Sequence, residues 1–175
     1  MPKSVSLLIG TTKGAFILSG GPDRSGWSVS GPHCGGWPIN HVVGDPETGT
    51  LWAGGGGEWS GAGVWRSADG GESWTLSKLS KGQFDEWAAN DPDMAEMMNW
   101  EPVDTPFDGK VDAIWSLHCV NGTVYAGAKP AQLLSSTDGG ESWKMNDSLA
   151  DFPDRDKWNP GAAGLVLHSI VSDPG

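Results

Sequence analysis

Basic residues are scarce in this chain: 11 Lys and Arg stand against 22 Asp and Glu, a net charge of −11. A surface this acidic repels phosphate backbones and anionic headgroups, which argues against nucleic acid and membranes as partners. It suits a protein that handles a neutral or cationic ligand, or one whose acidity serves solubility. Cysteine is nearly absent. Cys34 and Cys119 match no zinc spacing and no CxxC motif. Two lone thiols fit a reducing compartment, so a cytoplasmic location is expected. Long apolar runs are missing too. Val5 to Ile9 is too short for the core of a signal peptide, and nothing approaches a transmembrane span. Without a secretory signal, the acceptor-like Asn146-Asp147-Ser148 reads as chance. No long segment sustains a 3.6-residue apolar period, which excludes a helical bundle. No residue pattern names a cofactor or a metal.

Glycine, tryptophan and short apolar runs are abundant. Gly accounts for 27 residues and Pro for 12, without the three-residue period of collagen. Eleven Trp stand against one Tyr and four Phe. The apolar runs are separated by Gly, Asp, Asn and Pro, the pattern of short strands joined by tight turns.

Those runs repeat. Ser67-Ala68-Asp69-Gly70-Gly71-Glu72-Ser73-Trp74 recurs as Ser136-Thr137-Asp138-Gly139-Gly140-Glu141-Ser142-Trp143, identical at seven of eight positions. The match extends upstream, where Gly49-Thr50-Leu51-Trp52-Ala53-Gly54 parallels Gly122-Thr123-Val124-Tyr125-Ala126-Gly127. A degenerate copy opens the chain (Leu7 to Gly10, Ala15 to Ser19, Asp23 to Trp27). The start of a fourth, His168 to Pro174, echoes His41 to Pro46. Each full unit reads as four strands, A to D. The second unit has them near 39–44, 50–54, 62–67 and 74–78, and the third near 113–119, 123–127, 132–136 and 143–145. The first unit supplies B, C and D near 5–10, 14–19 and 26–30, and a last strand A is expected near 167–172.

Repeated four-stranded units predict an all-β fold, a β-propeller of antiparallel blades. About three blades' worth is present, an incomplete ring spanning 1–175. The first blade covers 5–37, the second 38–110, the third 111–164, and a fourth begins at 165–175. The Trp27-to-Trp74 spacing of 47 is ordinary for a blade. The Trp74-to-Trp143 spacing of 69 is accounted for by an insertion over 79–110. Within it, Asp91-Pro92-Asp93 predicts the start of a short helix, with Asp91 as cap and Pro92 in the first turn.

The Ser-x-Asp-x-Gly-x-Ser-Trp pattern resembles the Asp box of propellers such as sialidases, sortilin-type receptors and xyloglucan-cleaving glycosidases. Over its length the chain most resembles a bacterial group described as BNR-repeat or glycosyl-hydrolase-like propellers. The segments concerned are Gly10 to Phe16, Gly35-Gly36-Trp37-Pro38, Gly63 to Ser67 and Gly161 to Ile170. The resemblance implies a ring roughly twice this length. It also implies that Ser67, Asp69, Gly71, Trp74, Ser136, Asp138, Gly140 and Trp143 build the turn between strands C and D, one glycine of each box taking positive φ. A sialidase is disfavoured. Only Arg24, Arg66 and Arg155 are present, no Arg-Ile-Pro motif lies near the start, and Tyr125 falls at the packing position of Trp52.

A propeller site would lie where D-to-A and B-to-C connections meet around the channel mouth. His41 and His168, each near the start of a strand A, would converge there, to bind a metal or to act with Glu58 as acid and base, the third-unit equivalent of the histidines being Trp115 or a neighbour. The alternative is that each histidine caps a strand. Trp37, Trp59, Lys13, Lys129 and Trp158 are the candidate ligand-binding residues, for exposed indoles stack on sugar rings and flat organic ligands. The alternative for these is packing of long loops. Two function classes follow. One is a hydrolase-like enzyme, glycosidase-like, in the full-length relative. The other is a non-catalytic scaffold that binds a carbohydrate, another small polar ligand or a protein. A homodimer closing a six-bladed ring is the expected alternative to a partial domain.

Overall fold

The computed structural model describes residues 4–173. Three antiparallel sheets, none closed on itself, follow one another along the chain, each a simple meander. The first holds β1 (Val5–Thr11), β2 (Gly14–Gly20) and β3 (Ser28–His33). In the second, β4 (Ile39–Gly44), β5 (Leu51–Gly57), β6 (Gly61–Ser67) and β7 (Thr75–Lys78) lie side by side in that order. The third repeats the arrangement with β8 (Ala113–Val120), β9 (Thr123–Lys129), β10 (Leu133–Ser136) and β11 (Lys144–Met145). Eleven of the twelve expected strands are therefore formed among the described residues. No described helix is long and apolar enough to cross a membrane.

The sheets stack face to face through two apolar layers. Ala15, Cys34, Ile39, Val42 and Ala53 close the space between the first and second sheets. Trp52, Val64, Ile114, Leu117, Leu134 and Trp143 lead the larger layer between the second and third. Alternation along the strands assigns each side chain to one layer or the other. On β5, Ala53 faces the first sheet and Trp52 faces the third. Fully burying a leucine or isoleucine in such a layer contributes about 2 kcal/mol.

Glycines set how closely the inner strands approach. A Cβ on Gly10 would lie 2.6 Å from the carbonyl oxygen of Ile39, and one on Gly54 2.5 Å from the Ile114 side chain. At the third equivalent place, a Cβ on Gly127 would meet the Leu167 carbonyl oxygen at 2.4 Å. Leu167 thus occupies the place held by Ile39 and Ile114. The expected twelfth strand does not form, however: 165–173 carries no ladder pairing. It is held to the third sheet by isolated bonds, among them Leu167 N–H to Ala128 O (3.0 Å), Ser116 Oγ to Leu167 O (2.7 Å) and His118 Nε2 with Ser172 Oγ (2.9 Å). Pro174 and Gly175, in the turn expected to follow, lie outside the described residues.

Both Asp boxes form the same network. Ser67 Oγ donates to Asp69 Oδ1 (2.7 Å) and accepts from Gly71 N–H (2.8 Å), while Ser73 N–H donates to Asp69 Oδ1 (2.9 Å). Ser136, Asp138, Gly140 and Ser142 repeat this at 2.7, 2.7 and 3.0 Å. Trp74 and Trp143 each return an indole N–H to the carbonyl of the second glycine, Gly71 or Gly140. Both glycines of each box take positive φ, Gly70 and Gly71 as well as Gly139 and Gly140, rather than one of each pair. The αL turn that brings the Ser, Asp and Trp groups together needs two successive residues without a Cβ penalty.

The 79–110 segment is partly helical, with α1 (Gln83–Asn90) and α2 (Pro92–Met97). Asp91 caps α2 as expected, accepting from Met94 N–H, with Pro92 at its first position. α1 carries no such signal. Its first N–H groups, of Gln83 and Phe84, donate to the carbonyls of Glu58 and Trp59 in the β5–β6 turn. A distant turn thus satisfies donors that a cap would otherwise serve.

Candidate functional site

The β5–β6 turn projects Glu58, Trp59 and Ser60 past the end of the second sheet. α1, anchored to that turn through its N-terminal N–H groups, stands beside it. On the other side, the link from the first sheet passes through a single 3-10 turn, Cys34–Gly36, and delivers Trp37. Between these parts lies a cavity of about 640 Å³. Trp37, Trp59, Phe84 and Met98 supply its apolar wall, and Glu58 and Lys78 its charged groups.

The aromatic groups are braced. Trp37 meets Trp65 edge to face, ring centroids 5.8 Å apart at 87°. Trp59, Phe84 and Trp87 form a triangle with centroid separations of 5.7, 6.2 and 6.0 Å. Such pairs restrict ring motion and add to burial. Trp59 is nevertheless 58% exposed, so its surface is open to a ligand.

The charges are unequal in freedom. The Lys78 ammonium lies 5.7 Å from the centre of the Trp37 ring and is ion-paired with Asp85. Asp85 is buried and also accepts from Gly82 N–H (2.8 Å) and Trp100 Nε1–H (3.4 Å). This pair is internally neutral and ties α1 to β7. The Glu58 carboxylate, by contrast, has no hydrogen-bonding or ion-pair partner among the described residues, and the residue is exposed.

A second cavity, of about 420 Å³, lies between the second and third sheets. Glu58 lines it too, together with Lys81, Lys129, Trp115 and Asp112. Neither cavity that Glu58 lines includes a histidine.

His41 has a structural task. At the start of β4 the register slips between Ile39 and His41, and at the start of β8 it slips between Ile114 and Ser116. Asn40 and Trp115 are the extra residues of these β-bulges, so the counterpart of His41 is Ser116, the neighbour of Trp115. β8 is an edge strand whose outward backbone groups need partners. Asn40 Nδ2 donates to Ile114 O at 2.8 Å, and His41 Nδ1 accepts from Leu117 N–H at 2.8 Å. Accepting at Nδ1 requires an unprotonated nitrogen there. Burial, aided by the nearby His118, pushes the His41 pKa below its ordinary value.

His168 does not correspond to His41. With Leu167 over Gly127, as Ile39 is over Gly10, His168 falls at the place of Asn40 and Ser169 at that of His41. The sequence carries the same offset, since aligning Asp173 with Asp45 sets Ser169 opposite His41 and His168 opposite Asn40. His168 is exposed, and the described residues hold no cluster of three or more His, Cys, Asp or Glu able to bind a metal. His118 Nε2 pairs instead with Ser172 Oγ at 2.9 Å.

The remaining candidates divide. Trp37, Trp59 and Glu58 share the larger cavity, and Lys129 shares the smaller one with Glu58. Lys13 is exposed in a tight turn, its N–H bonded to Thr11 Oγ1, and lines neither cavity. Trp158 packs within its own loop, against Phe152 (5.7 Å) and under the Arg155 guanidinium (5.3 Å). Phe84, Lys78 and Met98 are site residues that sequence reasoning did not single out. Phe84 alone left a trace, as an aromatic residue three before Trp87 in the tryptophan-rich insertion. Scans against protein-family models and against curated proteins find no match to this chain.

Proposed function

We propose that the chain is three blades of an Asp-box propeller and that its function is non-catalytic recognition of a small ligand in the Trp37–Trp59–Phe84 cavity. The observation that carries this reading is the meeting of Trp37, Trp59 and Glu58 in one space of about 640 Å³, a volume suited to one small molecule. The Asp boxes, which share the same Ser–Asp–Gly–Ser bonds, and the successive stacking of the sheets support the propeller part. They favour kinship with BNR-repeat, sialidase-like propellers in architecture, which by itself assigns no chemistry.

Binding is favoured over hydrolysis for a chemical reason. Glycoside cleavage ordinarily needs two carboxyl groups flanking the scissile bond. Glu58 is the one acidic residue lining the larger cavity among the described residues, and Asp85 behind it is committed to Lys78. His41, the other catalytic candidate, has its Nδ1 engaged by Leu117.

The test is a ligand screen by NMR, reading the indole N–H signals against a panel of monosaccharides and small polar molecules. Hits should be lost in Trp37→Ala and Trp59→Ala and survive in His41→Ala and His168→Ala. Loss of binding in the histidine variants alone would overturn the assignment to this cavity.

A further inference from the structure

We propose that the cavity between Trp37, Trp59 and Phe84 takes an organic ammonium ion, a cation with an apolar body, in preference to a neutral ring. This rests on the ligand-binding reading above and adds the chemical class. Three observations converge on it.

First, the wall is aromatic. Trp37, Trp59 and Phe84 present π-systems and Met98 a polarisable thioether. Ring faces carry negative quadrupole density and attract a cation whose charge is spread over methyl or methylene groups. The site already uses this attraction once, since Lys78 sits over Trp37.

Second, the charge balance is negative. Lys78 is ion-paired with Asp85, which leaves the Glu58 carboxylate as the unpaired charge among the described residues lining this cavity; Lys81 and Lys129, which share the neighbouring cavity with Glu58, form no ion pair with it. A neutral sugar would leave that carboxylate with hydroxyl partners only. An ammonium ion would pair it and fill the aromatic wall at the same time.

Third, the field around the cavity has the same sign. The 79–110 segment, which supplies Phe84 and Met98, carries eight acidic residues against two lysines, Lys81 and Lys110. Acidic walls raise the local concentration of cations and speed their arrival.

The experiment is calorimetric titration of the whole chain with three probes. Choline is the cation, 3,3-dimethylbutan-1-ol its uncharged carbon isostere, and methyl β-glucoside a neutral ring. Choline should bind, and the isostere should bind about tenfold more weakly or worse. Glu58→Gln should weaken choline several-fold and leave the isostere unchanged. Trp59→Ala, an exposed position whose loss leaves the core intact, should weaken both. Equal affinity for choline and its isostere, or a preference for the glucoside, would overturn the cation assignment while leaving the ligand pocket standing. Binding of none of the three would overturn both.

Discussion

Single residues in this molecule are decided by which backbone group needs a partner. Asp69 and Asp138 are exposed, yet bonds from the Ser73 or Ser142 hydroxyl and N–H, and from Ser67 or Ser136, hold both carboxyls well below the usual aspartate range. Because the folded form binds protons less readily than the unfolded chain, their contribution is complete above the ordinary value of 3.8 and fades as pH falls below it. Urea titrations from about pH 5 down to about pH 2 should show steep loss of stability, shallower in the Asp69→Asn, Asp138→Asn double variant. His41 follows the same sign at higher pH. Its pKa is lowered from the ordinary 6.5, so its bond to Leu117 is fully effective above that value and is lost as acid drives protonation. Wild-type stability should fall between about pH 7 and about pH 5 by a component missing from His41→Ala. Trp52 spans two sheets by donating Nε1–H to Gly139 O at 2.7 Å. Trp52→Phe should cost about 1–2 kcal/mol in denaturant unfolding, since it strips that carbonyl of its partner and reduces packing.

At the scale of elements, the insertion between the second and third sheets is a built wall. α1 rests on the β5–β6 turn by its N–H groups and on β7 by the Lys78–Asp85 pair. Asp85 is buried and Lys78 nearly so, and removing one partner strands the other charge. Asp85→Ala should therefore destabilise the chain by about 3–5 kcal/mol and abolish ligand-induced shifts of the Trp59 indole signal. Unchanged thermal unfolding in that variant would show the wall to be independent of the pair. The bulges at the starts of β4 and β8 act on the same scale. Each adds one residue and turns a side chain, Asn40 or Trp115, out of the ladder. In β4 that residue and its neighbour clasp the next edge strand.

For the whole molecule, the unequal treatment of equivalent faces stands out. Ala53 and Ala126 are fully buried against the preceding sheet, while Ile9, at the same place on β1, is 37% exposed. Leu7 (47%) and Val29 (64%) extend the open face across the first sheet. In a propeller this face belongs against another blade, and a second copy of the chain can provide one. If a second copy covers this face, the 175-residue chain runs in light scattering at twice 18.4 kDa and Ile9→Lys with Val29→Lys returns it to a monomer. A wild-type monomer at all concentrations would rule out the paired ring.

The sequence alone determined the repeat, the four-strand rhythm, the Asp-box turns and the Asp91 cap, because each depends on contacts within a few residues. Period-2 alternation and turn chemistry are local, so eleven strands were legible. Local pattern also placed Trp37, Trp59 and Glu58 in connections between strands, and the propeller resemblance implied that those connections meet at one end of the sheets. Tertiary structure alone decided that these three share one cavity, that Phe84 and Met98 complete it, and that Trp158 and Lys13 stay away. It also decided that His41 serves Leu117, 76 residues distant. Those outcomes depend on a bulge offset and on where a folded insertion docks, and both are set by packing between segments that no local pattern records.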